Sequence, residues 1–172
     1  MRVKVSFSQQ LNKELLQLIG YSSTSPKTVV ITGPNQVKCE LDFVAVDSMS
    51  CATRELRLHV PALIDADFDL LRTWGEEFSK RVTYLMENIG PLELDPDAGQ
   101  VLIRSTPPQQ QGGTVTFYEV LLQSHSAGNF SLKRYESTKG TPGRSAVDMQ
   151  TTHEVLRKLV DDLTDTIPAN TP

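Results

Sequence analysis

The sequence predicts an α+β fold, with an antiparallel sheet of about six to seven strands carrying a long central amphipathic helix and a C-terminal helix. Strand-like segments occur in two blocks joined by hairpin-length turns, and a long apolar stripe at helical spacing separates the blocks. The 172 residues are enough for one hydrophobic core. We therefore expect a single domain over 1–172, in which 168–172 form a frayed tail.

The first block follows a short helix stripe over 11–19 that ends at Gly20. Segment 29–31 is rich in β-branched residues, and 37–45 and 55–60 alternate between apolar and polar residues. The residues at 3–7 also alternate and predict a strand. We expect polar connections at 22–26 and 47–53.

The central helix is the clearest element in the sequence. Its apolar residues recur at alternating spacings of three and four, which places them on one face; they are Phe68, Leu71, Gly75, Phe78, Val82, Leu85 and Ile89. Gly90-Pro91 predicts its end. The opposite face carries charged residues, so we expect this helix to lie on the sheet; they are Arg72, Glu76, Glu77, Lys80 and Glu87.

The second block predicts a hairpin over 92–103, a Gln-rich loop over 107–113, and a pair of strands over 114–123 and 130–135. The last apolar stripe predicts the C-terminal helix over 153–167. A symmetric turn between the paired strands would set Glu119 opposite Arg134, and we expect these two charges to pair across the sheet.

Composition excludes several function classes. The formal net charge of −4 and the pI of about 5.4 argue against general nucleic-acid binding. No window approaches the ~20 apolar residues of a membrane span, which predicts a cytoplasmic protein. Two cysteines and three scattered histidines form no disulfide framework and no metal-ligand spacing, so neither a metal nor another cofactor is expected.

Three sites are candidates for chemistry. Cys51 lies in a polar segment and would need a neighbouring base to act as a nucleophile. Glu55, Arg57 and His59 share one strand face, which favours a solvated surface over an acid–base site. Glu119 favours a structural ion pair over a functional carboxylate.

Two blocks of the chain, 90–108 and 148–163, resemble uncharacterised conserved proteins of planctomycete-type bacteria. The order of helices and strands also resembles the fold of small acidic secretion chaperones, although the long central helix and the extra hairpin before Pro107 depart from it. That second resemblance implies a dimer that holds client segments in extended form.

The sequence therefore favours a non-catalytic binding or protein-interaction domain. Its expected partner is a protein, a peptide or a second copy of the chain. The alternative is a small hydrolase or transferase that uses Cys51 or the strand face of Glu55, Arg57 and His59.

Overall fold

One antiparallel sheet organises the part of the chain that the computed structural model describes, which is residues 6–85, 88–106, 109–124 and 129–169. The α-helices in these ranges are α1 (Phe7–Leu18), α2 (Phe68–Arg81) and α3 (His153–Asp165), and short 3-10 helices occupy Pro34–Gln36 and Pro61–Leu63. The strands there are β1 (Ser22–Thr32), β2 (Lys38–Val46), β3 (Ser50–His59), β4 (Asn88–Asp95), β5 (Gln100–Thr106), β6 (Gln109–Gln111), β7 (Thr114–Gln123), β8 (Phe130–Thr138), β9 (Ser145–Val147) and β10 (Met149–Thr152). The predicted α+β class with an antiparallel sheet is confirmed.

The strand count differs from the prediction. Seven strands form the main path of the sheet, in the order β1-β2-β3-β8-β7-β5-β4, and β6, β9 and β10 pair beside it. The expected six to seven strands thus become ten in the described residues. The three short strands have three or four residues each, too few for an alternating pattern to stand out.

The central helix is shorter than predicted. The apolar stripe predicts a helix that reaches Ile89, whereas α2 ends at Arg81 and Val82 leaves the helical region at φ −92°, ψ 93°. Val82 and Leu85 are buried all the same, at 1% and 3% exposure, and Ile89 belongs to β4. Helical periodicity continued beyond the helix because these residues still face the core.

Several smaller predictions also change. The predicted connection at 22–26 lies entirely within β1, and the one at 47–53 is strand from Ser50 onward. The Gln-rich loop contains β6, which pairs with the start of β7. Residues 1–5, which include most of the predicted N-terminal strand, lie outside the described residues, and Phe7 begins α1.

The core lies between the helices and one face of the sheet. On α2, Trp74 and Phe78 contact Phe130 of β8, with ring centroids 5.7 Å and 5.3 Å apart. Helix α3 lies against α1, α2 and β10, and its Thr166 hydroxyl accepts a hydrogen bond from Trp74 Nε1 at 3.2 Å. These contacts place the helices of the described chain on one side of the sheet.

A short crossing segment, residues 145–152, joins the strands β3 and β8 where they diverge. Strand β3 pairs with β8 only over Leu56–Leu58, and beyond that point the two strands separate. Strand β9 pairs with the end of β8, β10 pairs with the start of β3, and only Asp148 stands between β9 and β10. Arg54 Nε lies 3.3 Å from Asp148 Oδ1 at this crossing. The crossing segment therefore pairs with both strands and fills the space between them, which we call the fork between β3 and β8.

Candidate binding groove on the open face of the sheet

The face of the sheet opposite the helices carries most of the predicted site residues. On β3, Leu56 and Leu58 are fully buried in the core, so Arg57 between them projects to the other side. On β7, Val120 and Leu122 are buried in the same way, and Glu119 projects with Arg57. We call this side the open face, because no helix of the described residues packs on it.

Arg57 is the centre of a charge cluster on the open face. Its Nη1 and Nη2 donate to Asp42 Oδ2 and Oδ1 at 2.7 Å and 2.9 Å. Its Nε donates to Glu40 at 3.0 Å, and Nη1 also donates to Glu55 at 2.9 Å. His59 Nε2 lies 3.4 Å from Glu40. The predicted trio of Glu55, Arg57 and His59 therefore belongs to one network with two carboxylates of β2.

The electrostatics of this cluster favour a structural role. The hydrogen bonds from Arg57 hold the pKa of Asp42 below its usual value, although burial opposes them. The same hydrogen bonds raise the pKa of Arg57. A carboxylate with a lowered pKa is a weak general base near neutral pH. Asp42 therefore ties β2 to β3 better than it accepts a proton.

Cys51 sits in a different environment from the one a nucleophile needs. It belongs to β3 rather than to a loop, is 4% exposed, and has Thr151 Oγ1 3.5 Å from its sulfur. Burial raises the pKa of its thiol. His59 is eight residues further along the same strand, roughly 26 Å away at about 3.3 Å per residue. The described residues therefore bring no base from the predicted trio to Cys51.

Glu119 forms an ion pair, but the predicted partner is wrong. The register of β7 and β8 sets Glu119 opposite Lys133 and Tyr118 opposite Arg134. Arg134 therefore lies on the other face, where its guanidinium covers the Tyr118 ring at 4.4 Å. The register is one residue away from the symmetric one, and a one-residue shift exchanges the two faces of a strand.

Two other arginines hold the Glu119 carboxylate. Arg144 donates through Nη2 to Oε1 at 2.8 Å and through Nη1 to Oε2. Arg104, the cross-strand neighbour of Glu119 on β5, donates through Nε to Oε2 at 3.2 Å. The side chain of Glu119 is only 8% exposed. The arginine from the 139–144 connection also covers the Tyr135 ring at 4.1 Å.

A groove of about 790 Å³ opens beside this ion pair. It forms where β5 leaves β7: their backbone pairing stops at Arg104 and Glu119, and Tyr118 N donates to the Ser105 hydroxyl at 2.9 Å. The half-buried side chains of Val115 and Phe117 form an apolar floor. The other lining residues are Pro91, Glu93, Arg104, Ser105, Thr106, Ser137, Gly143 and Arg144.

The sequence indicates Glu119 and places Phe117 on its face, but it does not indicate that Arg104 and Arg144 are the partners of Glu119. Arg144 lies in a Gly-containing connection, where nothing local indicates that its side chain reaches a strand 25 residues earlier. One signal was available for the pair as a whole. A glutamate between Phe117 and Leu121 on a predicted strand face needs a cationic partner.

Among the described residues, no group of three or more His, Cys, Asp or Glu side chains is placed to hold a metal ion. The helices in these ranges are all too short or too polar to cross a bilayer. Comparison of the chain with family models, with curated proteins and with solved structures finds no match.

Proposed function

We propose that this protein is a non-catalytic binding protein that holds an extended polypeptide segment of a partner on the open face of its sheet. The groove beside Glu119 is the observation that carries this proposal. It combines an apolar floor with charged rims, which is the usual composition of a recognition site. In this respect the protein would act as small chaperones do when they hold client segments.

The surroundings of the candidate catalytic residues favour a binding protein over an enzyme. Cys51 is buried and has a raised pKa, and the carboxylates around Arg57 are engaged with its guanidinium. The alternative, a hydrolase or transferase using Cys51 or the face of Glu55, Arg57 and His59, gains no support from these positions. Binding requires no nucleophile.

Selection from a library of random heptapeptides tests the proposal. We expect the wild-type chain to enrich a discrete set of sequences, and Phe117→Asp to lose that enrichment because a charge enters the apolar floor. Leu16→Asp is the matched control, since Leu16 is 60% exposed on α1. It should enrich the same sequences as the wild type.

Both variants must keep the wild-type melting transition, and Phe117→Ser replaces Phe117→Asp if the aspartate unfolds the chain. Enrichment that survives at Phe117 but disappears in Leu16→Asp would move the binding surface to the helices. A library from which nothing is enriched would overturn the proposed function.

A further inference from the structure

The two arginines beside the groove carry more positive charge than the one buried carboxylate of Glu119 neutralises. Arg104 and Arg144 both contact Oε2 of Glu119, so two guanidinium groups are held together by a single buried carboxylate. Glu93 lies 3.5 Å from Arg104 Nη1, but its side chain is 61% exposed. An exposed pair of that kind contributes little. The two arginines thus remain available to a second anion.

Donors also remain on both arginines. A guanidinium has five N–H groups. Arg104 uses Nε and Nη1, and Arg144 uses Nη1 and Nη2. Within the described ranges, Nη2 of Arg104 and Nε of Arg144 have no polar partner. Glu119 therefore positions two arginines beside the groove, and each of them keeps a nitrogen that can donate to a second anion.

The dimensions of the groove suit a short segment. Its lining runs from Pro91 on β4 to Gly143 and Arg144 beyond β8, across β5 and β7. Three strand spacings of about 4.8 Å give about 14 Å, the length of roughly four extended residues. A chain that ends there needs only this length, whereas a chain that passes through needs more.

We propose, on the basis of the function proposed above, that the groove binds the C-terminus of a partner polypeptide. Arg104 and Arg144 hold the terminal carboxylate. Phe117 and Val115 receive an apolar last side chain. Charge-assisted hydrogen bonds from two guanidiniums are the strongest contacts that such a carboxylate can make on this face.

Two libraries test the inference. Both contain random heptapeptides that end in Leu, Ile, Val or Phe, and they differ only in a free C-terminal carboxylate or a C-terminal amide. We expect enrichment from the acid library and at least tenfold weaker binding of the same peptides as amides. Equal binding of acids and amides would overturn this inference and leave the proposed function standing. Enrichment from neither library would overturn both.

Substitution of each arginine tests whether it contacts the terminal carboxylate. Arg144→Lys keeps a positive charge beside Glu119 but loses the planar fork, and we expect about tenfold weaker binding of the acid peptides, with little change for the amides. Arg104→Lys should act in the same direction. Arg72→Lys is the control, because Arg72 also pairs with two carboxylates but lies on α2. Its acid-peptide affinity should equal that of the wild type.

Laurate distinguishes a peptide terminus from a lipid carboxylate. We expect the acid peptides to bind at least tenfold more tightly than laurate, because a peptide also offers backbone hydrogen bonds. Arginine-dependent binding of laurate without binding of the peptides would overturn the inference. An acid preference that both lysine variants retain in full would overturn it as well.

Discussion

The carboxylate of Glu119 and the guanidinium of Arg144 form a two-point ion pair between residues 25 positions apart, and this pair fixes the 139–144 connection to the middle of the open face. Gly140 and Gly143 have φ values of +87° and +81° in that connection. Glycine adopts this left-handed region without strain. The backbone can therefore turn twice and present Arg144 to β7.

We expect Glu119→Ala to lower the free energy of unfolding by about 1–3 kcal/mol, because it leaves Arg104 and Arg144 adjacent without their carboxylate. The double variant with Arg144→Leu should lose less than the sum of the two single variants. Urea denaturation measures all three. The same cycle with Arg134→Leu is the control and should be additive, because Arg134 lies on the other face. Coupling to Arg134 rather than Arg144 would contradict the structure.

Gly75→Ala tests the close approach of α2 to the sheet. A Cβ at this position would lie 2.9 Å from Leu92 Cδ2 and 3.3 Å from Leu122 Cδ1. Alanine favours the helix by about 1 kcal/mol, but overpacking costs about 1–3 kcal/mol. We expect a net loss of about 1 kcal/mol in a denaturation measurement. Adding Leu92→Val should recover part of it, and a stabilised Gly75→Ala variant would contradict the packing.

Phe78 tests the core contact between α2 and β8. Its side chain is fully buried and meets Phe130 edge-on. Phe78→Ala should lower the free energy of unfolding by about 3–5 kcal/mol. Leu85→Ala should cost about 2–5 kcal/mol, although Leu85 lies beyond the helix, because it is 3% exposed. A loss below about 1 kcal/mol at Leu85 would show that burial does not continue past α2.

Asp42 gives a prediction in acid. Arg57 lowers the pKa of Asp42 in the folded chain. The contact between the two therefore stabilises the folded state fully above the ordinary aspartate pKa of about 3.9, and this stabilisation is lost as the pH falls through the pKa of Asp42 in the folded chain. Asp42→Asn should be less stable than the wild type at pH 7, and the difference should shrink below about pH 4. Denaturation at a series of pH values measures this.

Thr28→Val provides the matched comparison, because the Thr28 hydroxyl donates to Asp42 Oδ1 at 2.7 Å and also lowers its pKa. It should show the same trend with a smaller amplitude. Parallel pH curves for the wild type and Asp42→Asn would mean that the contact with Arg57 does not discriminate between the charge states.

The sequence predicts burial better than it predicts conformation. The apolar stripe of α2 continues through Val82 and Leu85 and predicts a helix there, and both residues are buried. The chain nevertheless leaves the helix at Val82, and Tyr84 beyond it donates to Asp162 Oδ2 of α3 at 2.6 Å. Periodicity records which side chains meet the core. It does not record where the backbone leaves the helix.

The site was predictable only where its chemistry is local to one strand. The alternation around Arg57 placed Glu55, Arg57 and His59 on one face, and the structure finds them together there. The pairing of Glu119 depends on a register that shifts by one residue and on a connection that returns from position 144. Neither the register of β7 and β8 nor the path of the connection to Arg144 can be recognised from a pattern in the sequence.

The crossing segment also has a consequence for biosynthesis. Thr152 pairs with Ser50, and Ser145 pairs with Glu136, so the fork between β3 and β8 closes only after residues 145–152 have left the ribosome. Until then both strands present unpaired backbone edges, which other strands can pair with. A pairing between residues so distant in sequence also slows folding. Nascent chains that stall before residue 145 should therefore aggregate, and chains released after residue 165 should not.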